Sequence, residues 1–265
     1  MTTINNLAST ILTSMNGSIE RVAELLKESR ASVFLTGAGM SKLAGLPTFR
    51  GKDGLWNTAD SHDWARRETF NHNSEDWYDT FWKYYEKRQT LIPSIAHQAL
   101  SGIANALRAD LVTQNIDGFD LNAGVSPLRL YEIHGNDRRL CCTECDYNIA
   151  TKDWLEGQTK GTLPVCPDKH ILKPTILLFG NDEVPGLRAV RDNAYDRIVE
   201  ADTLVAIGTS LEIPYVAEWV LEFANTKEQL VIVNPERTIG DAAAQVVVRE
   251  TAELALTNLY QYMEL

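Results

Sequence analysis

Ser32-Val-Phe-Leu-Thr36-Gly37-Ala-Gly39 is the stretch on which the fold turns. A short β-leaning run without a charge passes straight into two glycines. That is how a strand buried on both faces feeds a tight turn. The signature recurs along the chain in Leu111-Val-Thr113, Leu128-Arg-Leu-Tyr-Glu-Ile133, Thr175-Ile-Leu-Leu-Phe179, Thr203-Leu-Val-Ala-Ile207 and Leu230-Val-Ile-Val233. Each run precedes a glycine, an asparagine or a polar turn. Helical stretches at Ser18–Arg30, His97–Leu107, Arg188–Glu200 and Pro214–Phe223 separate several of them. This alternation predicts an α/β fold, a Rossmann-like parallel sheet with helices on both faces. Ligands of such sheets bind beyond the carboxyl ends of the strands. Gly37–Gly39, Asn115–Asp117, His134, Gly208–Ser210 and Asn234 all fall at those ends.

Two segments interrupt the alternation. Gly45 to Pro93 is crowded with aromatic residues, among them Trp64, Phe70, Trp77, Tyr78, Phe81 and Tyr85, and predicts helices packed over the cleft. Asp137 to Lys173 holds all four cysteines, has little apolar periodicity and needs a staple to stay folded. The division expected is a nucleotide-binding domain from residues 1–45, 94–136 and 174–265. A smaller domain is made of a helical module, 46–93, and a zinc-ribbon-like module, 137–173.

Cys142-x-x-Cys145 followed by Cys166 gives three thiols in the order of a structural zinc ribbon. His170, four residues after Cys166, completes a Cys3His set, with Cys141 and Asp168 as weaker candidates. A closed set of four ligands leaves no open position, so the expected metal folds the module and takes no part in chemistry.

Charge and cysteine usage narrow the function classes. A net charge of −11 and a pI near 5.0 argue against nucleic-acid binding, which needs a basic face. No apolar run reaches the roughly 18 residues of a membrane span. The first 17 residues lack a basic residue and do not resemble a signal peptide. Clustered cysteines without an export signal favour a reduced, cytoplasmic protein.

At the strand ends, Gly37-Ala-Gly39-Met-Ser41 suits either a phosphate-cradling loop or a plain strand-to-helix turn. Gln114-Asn-Ile-Asp117 places an amide and a carboxylate two residues apart, able to share one pocket or to form a capping turn. His134 follows a strand and precedes a glycine, where a neutral imidazole serves as a general base or as a structural hydrogen-bonder. His97 falls inside a helical stretch and suits the structural role.

Taken in order, Gly37-Ala-Gly-Met-Ser41, Gly45-Leu-Pro-Thr-Phe-Arg50-Gly, Thr113-Gln-Asn-Ile-Asp117, Glu132-Ile-His134-Gly, Cys142-x-x-Cys145, Lys173-Pro-Thr-Ile-Leu-Leu-Phe-Gly180, Gly208-Thr-Ser210 and Val233-Asn-Pro-Glu236 resemble the sirtuin (Sir2-type) family of NAD-dependent protein deacylases. The resemblance runs from about Ser32 to Asn258. It implies that NAD is consumed as a co-substrate. The acyl oxygen of a modified lysine attacks the nicotinamide ribose, nicotinamide leaves and the acyl group moves to the ribose. It implies an acylated-lysine protein as partner, added as a strand between the two domains. By the same resemblance Gly37, Ala38, Gly39, Ser41, Phe49 and Arg50 meet the cofactor. Gln114 meets its ribose, and Asn115, Ile116 and Asp117 form the nicotinamide pocket. Gly208, Thr209, Ser210 and Asn234 hold the adenosine half. His134, Asn115 and Asp117 carry the catalysis, and Leu177, Phe179 and Gly180 contact the acyl-lysine.

The chain departs from the family's pattern in four places: the last zinc cysteine is missing, Asn181 replaces an acidic residue, Thr48 stands for Asp, and Phe119-Asp120 for Leu-His. Thr48 also occurs in relatives that remove acidic acyl groups, and those carry a Tyr-x-x-Arg pair. Tyr85-x-x-Arg88 has that spacing, which is also simply one helical turn. An ADP-ribosyltransferase and an NAD hydrolase are the enzymatic alternatives on the same scaffold. An NAD-sensing binding protein is the non-enzymatic one.

Overall fold

The structure is a computed structural model that describes residues 17–46, 64–156, 158, 161–227 and 229–265. Phe49, Arg50, Thr48 and Trp56 lie outside the described residues. Six parallel strands form the main sheet, in the order β3-β2-β1-β7-β8-β9. They are β1 (Ser32–Thr36), β2 (Asp110–Thr113), β3 (Leu130–Glu132), β7 (Thr203–Ile207), β8 (Gln229–Val233) and β9 (Val246–Val248).

Alternation within each strand explains why both faces are covered. Phe34, Leu111, Val205, Ile207, Val231 and Val233 point into one core, shared with α1 (17–28), α4 (Ile95–Leu107) and α9 (Ala252–Tyr262). Val33, Leu35, Val112, Leu204, Ala206, Leu230 and Ile232 point into the other, shared with α7 (Leu187–Glu200) and α8 (Pro214–Thr226). Residues one apart thus serve opposite layers, as the period of a strand requires. No helix among the described residues is long and apolar enough to cross a membrane.

The smaller part has its own antiparallel sheet, β5-β4-β6, from β4 (Gly135–Cys141), β5 (Asn148–Ala150) and β6 (Lys173–Ile176). Two helices, α2 (Arg67–His72) and α3 (Ser74–Gln89), bring their aromatic side chains onto Ile116, Ile176 and Leu178. Two short helices, α5 (Phe119–Asn122) and α6 (Thr151–Leu155), complete the set.

Three expectations need correction. The apolar run Thr175–Phe179 is no strand of the parallel sheet; its first residues belong to β6, which pairs antiparallel with β4. Apolar content alone does not tell which sheet a strand joins. The run from Leu128 to Ile133 begins as a 3-10 turn at Pro127–Arg129, and only Leu130–Glu132 pairs. The strand β9 and the C-terminal helix were not expected at all.

Arg88 of the Tyr85-x-x-Arg88 pair is buried and paired. Its guanidinium donates two 2.7 Å hydrogen bonds to Asp137, both residues being buried, and lies over the Tyr85 ring at 5.0 Å. It ties α3 to β4. Arg88→Met should cost about 3–5 kcal/mol, because an uncompensated carboxylate stays buried. The double variant Arg88→Met/Asp137→Leu should recover most of it. Urea unfolding of the two proteins checks this.

Candidate active site

Strand order places the site. The chain leaves β1 for β2 and β3, then returns to put β7 on the other side of β1. β1 and β7 therefore mark the switch point, beyond whose carboxyl ends such sheets take ligands. The loops after the two strands touch. Gly39 N–H donates to Gly208 O at 2.8 Å, and Gly37 N–H to Ile207 O at 3.1 Å. A Cβ on Gly39 would sit 2.7 Å from Gly208 Cα, and Gly208 itself has φ +60°. These glycines are thus required by the packing of one loop on the other.

The polar cluster after β2 is pinned residue by residue. Gln114 Nε2 donates to Thr36 O (3.2 Å) and Thr209 Oγ1 (2.8 Å). Asn115 Nδ2 donates to Gly37 O (3.0 Å). Asp117 accepts from Ser41 Oγ at 2.7 Å and from Phe119 N–H at 2.9 Å. Ile116 turns the other way, into the aromatic cluster of the helical module. On the β7 side, Asn234 Nδ2 donates to Thr209 O at 2.7 Å and Asn234 Oδ1 accepts from Glu236 N–H at 3.0 Å. Ser210 is half-buried at the same edge.

Asp117 is buried, and that burial raises its pKa; the hydrogen bonds from Phe119 and Ser41 pull the other way. Behind it lies Asp120, also buried, pushed up to about 7 by burial and by the charge of Asp117.

His97 has a part that its sequence context did not disclose. It lies at the third position of α4 and closes a capping box, its Nδ1 accepting from Ser94 N–H at 3.1 Å. An accepting Nδ1 leaves the proton on Nε2, which lies 3.4 Å from Ser41 Oγ. A helix cap is thereby joined, through Ser41, to Asp117. Position alone distinguishes this histidine from an ordinary core residue, so no motif could have revealed it.

His134 sits just beyond β3, half-buried, with Nδ1 2.9 Å from Gln114 O. A carbonyl only accepts, so Nδ1 carries the proton and Nε2 keeps a lone pair. Burial, with a smaller push from Arg191, lowers its pKa to about 4 against the Gln114 hydrogen bond. The ring is therefore neutral at physiological pH and able to take a proton. Gly135 makes the turn: its φ is +75°, and a Cβ there would lie 1.7 Å from Thr175 O.

The segment after β6 runs past His134, Leu177 N–H donating to His134 O at 2.9 Å. Ile176 and Leu178 face Ile116, whereas Leu177 packs on Cys141, Val184 and Leu187. Phe179 is half-exposed, and its N–H and C=O are engaged by Ala65 O (2.7 Å) and Arg67 N–H (2.9 Å). Gly180, at φ +95°, has open space where a side chain would be.

At the tip of the small sheet Cys142, Cys145, Cys166 and His170 bring their ligand atoms within 4.8 Å of one another. The turn from Cys166 to His170 closes with Lys169 N–H on Cys166 O and Cys166 N–H on His170 O, both 2.9 Å, and Lys169 takes the left-handed conformation at φ 65°. That turn returns His170 to the thiols. Cys141 points into a different apolar cluster, and Asp168 is exposed. The donor set and its spacing suit tetrahedral zinc. One zinc per chain should appear in elemental analysis of purified protein. Its chelation should raise hydrogen exchange across 137–173 far more than across β1 and β7. A folded, metal-free protein would overturn this.

The model of the Sir2 family matches residues 37–214. The NAD-dependent protein deacetylase 2 of Caldanaerobacter subterraneus subsp. tengcongensis is 32% identical over 249 residues, covering 92% of this chain and 96% of its own. A Sir2 homologue solved in complex with NAD is similar with a TM-score of 0.83 at 28% identity, over 92% of this chain and 93% of that one. A Sir2 mutant solved with a p53 peptide and NAD gives 0.79 at 26% identity, over 92% and 98%.

Proposed function

The chain belongs to the Sir2 family, and on that premise we propose that it removes acyl groups from protein lysine at the expense of NAD, releasing nicotinamide and an O-acyl-ADP-ribose. The observation that carries the reading is His134: a neutral imidazole, its proton fixed on Nδ1 by Gln114 O and its other nitrogen free to accept, at the strand edge where the glycine loops converge.

The residues present fit NAD. The crevice beyond β1 and β7 lies at the switch point of a parallel sheet, the place where such folds take nucleotides. Gly37, Ala38, Gly39 and Ser41 line one side of it. Gly208, Thr209, Ser210 and Asn234 line the other and hold the adenosine half. Phe49 and Arg50 are assigned to the cofactor on the resemblance alone. NAD supplies a glycosidic bond whose leaving group is nicotinamide.

Each protein group then has a task. Asn115 and Asp117 hold the nicotinamide end, their side chains fixed by Gly37 O and Ser41. Ile116, whose side chain packs into the aromatic cluster, is assigned to the nicotinamide pocket on the resemblance alone. Gln114 orients the ribose and, through its carbonyl, the base. His134 takes the proton of a ribose hydroxyl as that oxygen attacks the acyl carbon. The edge at Leu177, Phe179 and Gly180 receives the acylated peptide. The peptide strand is assigned to this edge on the resemblance, by strand addition.

With residues 1–45, 94–136 and 174–265 taken as one part and 46–93 and 137–173 as the other, the peptide is assigned to the space between them on the resemblance. A reduced, cytoplasmic setting suits four cysteines that form no disulfide. The acidic chain takes a peptide partner and no nucleic acid. Mass spectrometry of the products formed from NAD and an acetylated peptide tests the reading.

A further inference from the structure

One face of His134 is built by residues that none of the motifs contain. Tyr215 lies in the first turn of α8, behind Pro214. A side chain there leans toward the helix N-terminus, and so toward the sheet edge. Its ring meets the His134 ring at 6.0 Å between centroids and 80° between planes. Tyr215 is itself held on two further sides. Trp219, one turn on, packs against it at 5.0 Å and 69°. From α7, the Arg191 guanidinium lies over its ring at 5.3 Å. Arg191 has no carboxylate within ion-pair distance among the described residues. The Tyr215 hydroxyl is buried and is not hydrogen-bonded to His134, so it is the ring that meets the imidazole.

His134 needs such a wall. Among the described residues the ring makes one hydrogen bond, to Gln114 O, which fixes one nitrogen but leaves the ring able to swing out of line. A base that must meet a ribose hydroxyl within hydrogen-bond reach loses rate when it swings. An aromatic ring set perpendicular to the imidazole restricts that motion and costs no charge. The cation behind it adds a second effect. A guanidinium near the imidazole opposes the formation of imidazolium in the resting protein. The groups that bear on His134 among the described residues are the Gln114 carbonyl from the β2 end, Arg191 from α7 and Tyr215 from α8, with no carboxylate among them.

We propose that Tyr215 is a positioning residue for His134, and that Arg191, stacked on the Tyr215 ring, holds it in place. The inference rests on the deacylase reading, and the experiment separates the two. Deacylation and nicotinamide exchange are measured on wild type, Tyr215→Ala, Tyr215→Phe and Arg191→Gln, with NAD and an acetylated peptide. Tyr215→Ala should lower kcat for deacylation roughly two- to tenfold, the worth of one perpendicular ring pair. KM for NAD and nicotinamide exchange should hold, because the base acts after nicotinamide has left. Tyr215→Phe keeps the ring and should rescue the rate. Arg191→Gln should move the acid limb of kcat/KM toward higher pH, since loss of the cation lets imidazolium form more easily. A Tyr215→Ala enzyme with wild-type kcat overturns the inference, as does one in which exchange and deacylation fall together. An Arg191→Gln enzyme with wild-type kcat and an unmoved profile removes the arginine's part. A wild-type protein that makes no O-acyl-ADP-ribose would instead sink the deacylase reading itself.

Discussion

His134→Ala should fold, bind NAD and lose deacylation by about 10²- to 10⁴-fold, the worth of one positioned acid–base group. Folding should survive because the ring is half-buried and its one hydrogen bond among the described residues is to a carbonyl at the end of the sheet. NAD binding should survive because the loops that line the crevice are held by other contacts, Gly39 on Gly208 and Gln114 on Thr209. Nicotinamide exchange should be affected less than product formation. The pH profile of the wild type adds a signed test. With the folded pKa near 4, the imidazole is unprotonated through the neutral range. The acid limb of kcat/KM, which reports the free enzyme, should therefore lie well below 6.5, the ordinary histidine value. The same shift has a stability consequence. Between about pH 6.5 and 4 the unfolded chain takes up a proton that the folded chain refuses, so His134 favours folding above that window and its contribution is lost as pH falls through it.

Asp117→Asn should act on the earlier step, lowering nicotinamide exchange by about 10²-fold, on the scale of one preorganised group removed from a reacting centre. The carboxylate accepts from both Ser41 Oγ and Phe119 N–H. An amide can accept on one side only, so one of those donors loses its partner. The Ser41–Asn115–Gly37 cluster then rearranges, and the nicotinamide end loses its fixed wall. NAD affinity should fall only modestly, since the adenosine side at Thr209 and Asn234 is held by other contacts. Exchange assays with acylated peptide read the effect; unchanged exchange would place the nicotinamide pocket elsewhere.

The two variants draw on parts of the molecule that differ in how far the sequence discloses them. The parallel sheet was legible because strands such as Val33-Phe-Leu35 and Leu204-Val-Ala206 are apolar on both faces and end in glycine or polar turns. Hence the strand ends, and the cluster of candidate residues on one edge, could be read off directly. The Cys3His set was legible from spacing, although the turn that brings His170 back depends on Lys169 adopting a left-handed conformation that spacing does not show.

What stayed hidden depends on long-range contact. Thr175–Phe179 looks like any buried strand, and only its partner β4 assigns it to the small sheet. Arg88 and Asp137 are 49 residues apart, and their mutual burial could not be read from either neighbourhood. His97 and Tyr215 sit in ordinary helical patterns. They acquire meaning only because Ser41 in one case, and His134 in the other, lies across the fold.

The most direct test of the central claim is a mass spectrum of the products after incubation of the purified chain with NAD and an acetylated-lysine peptide. The account predicts deacetylated peptide, nicotinamide and O-acetyl-ADP-ribose in equal amounts, with His134→Ala failing to produce the last. Free ADP-ribose without loss of acetyl, or a mass gain of ADP-ribose on protein, would contradict it.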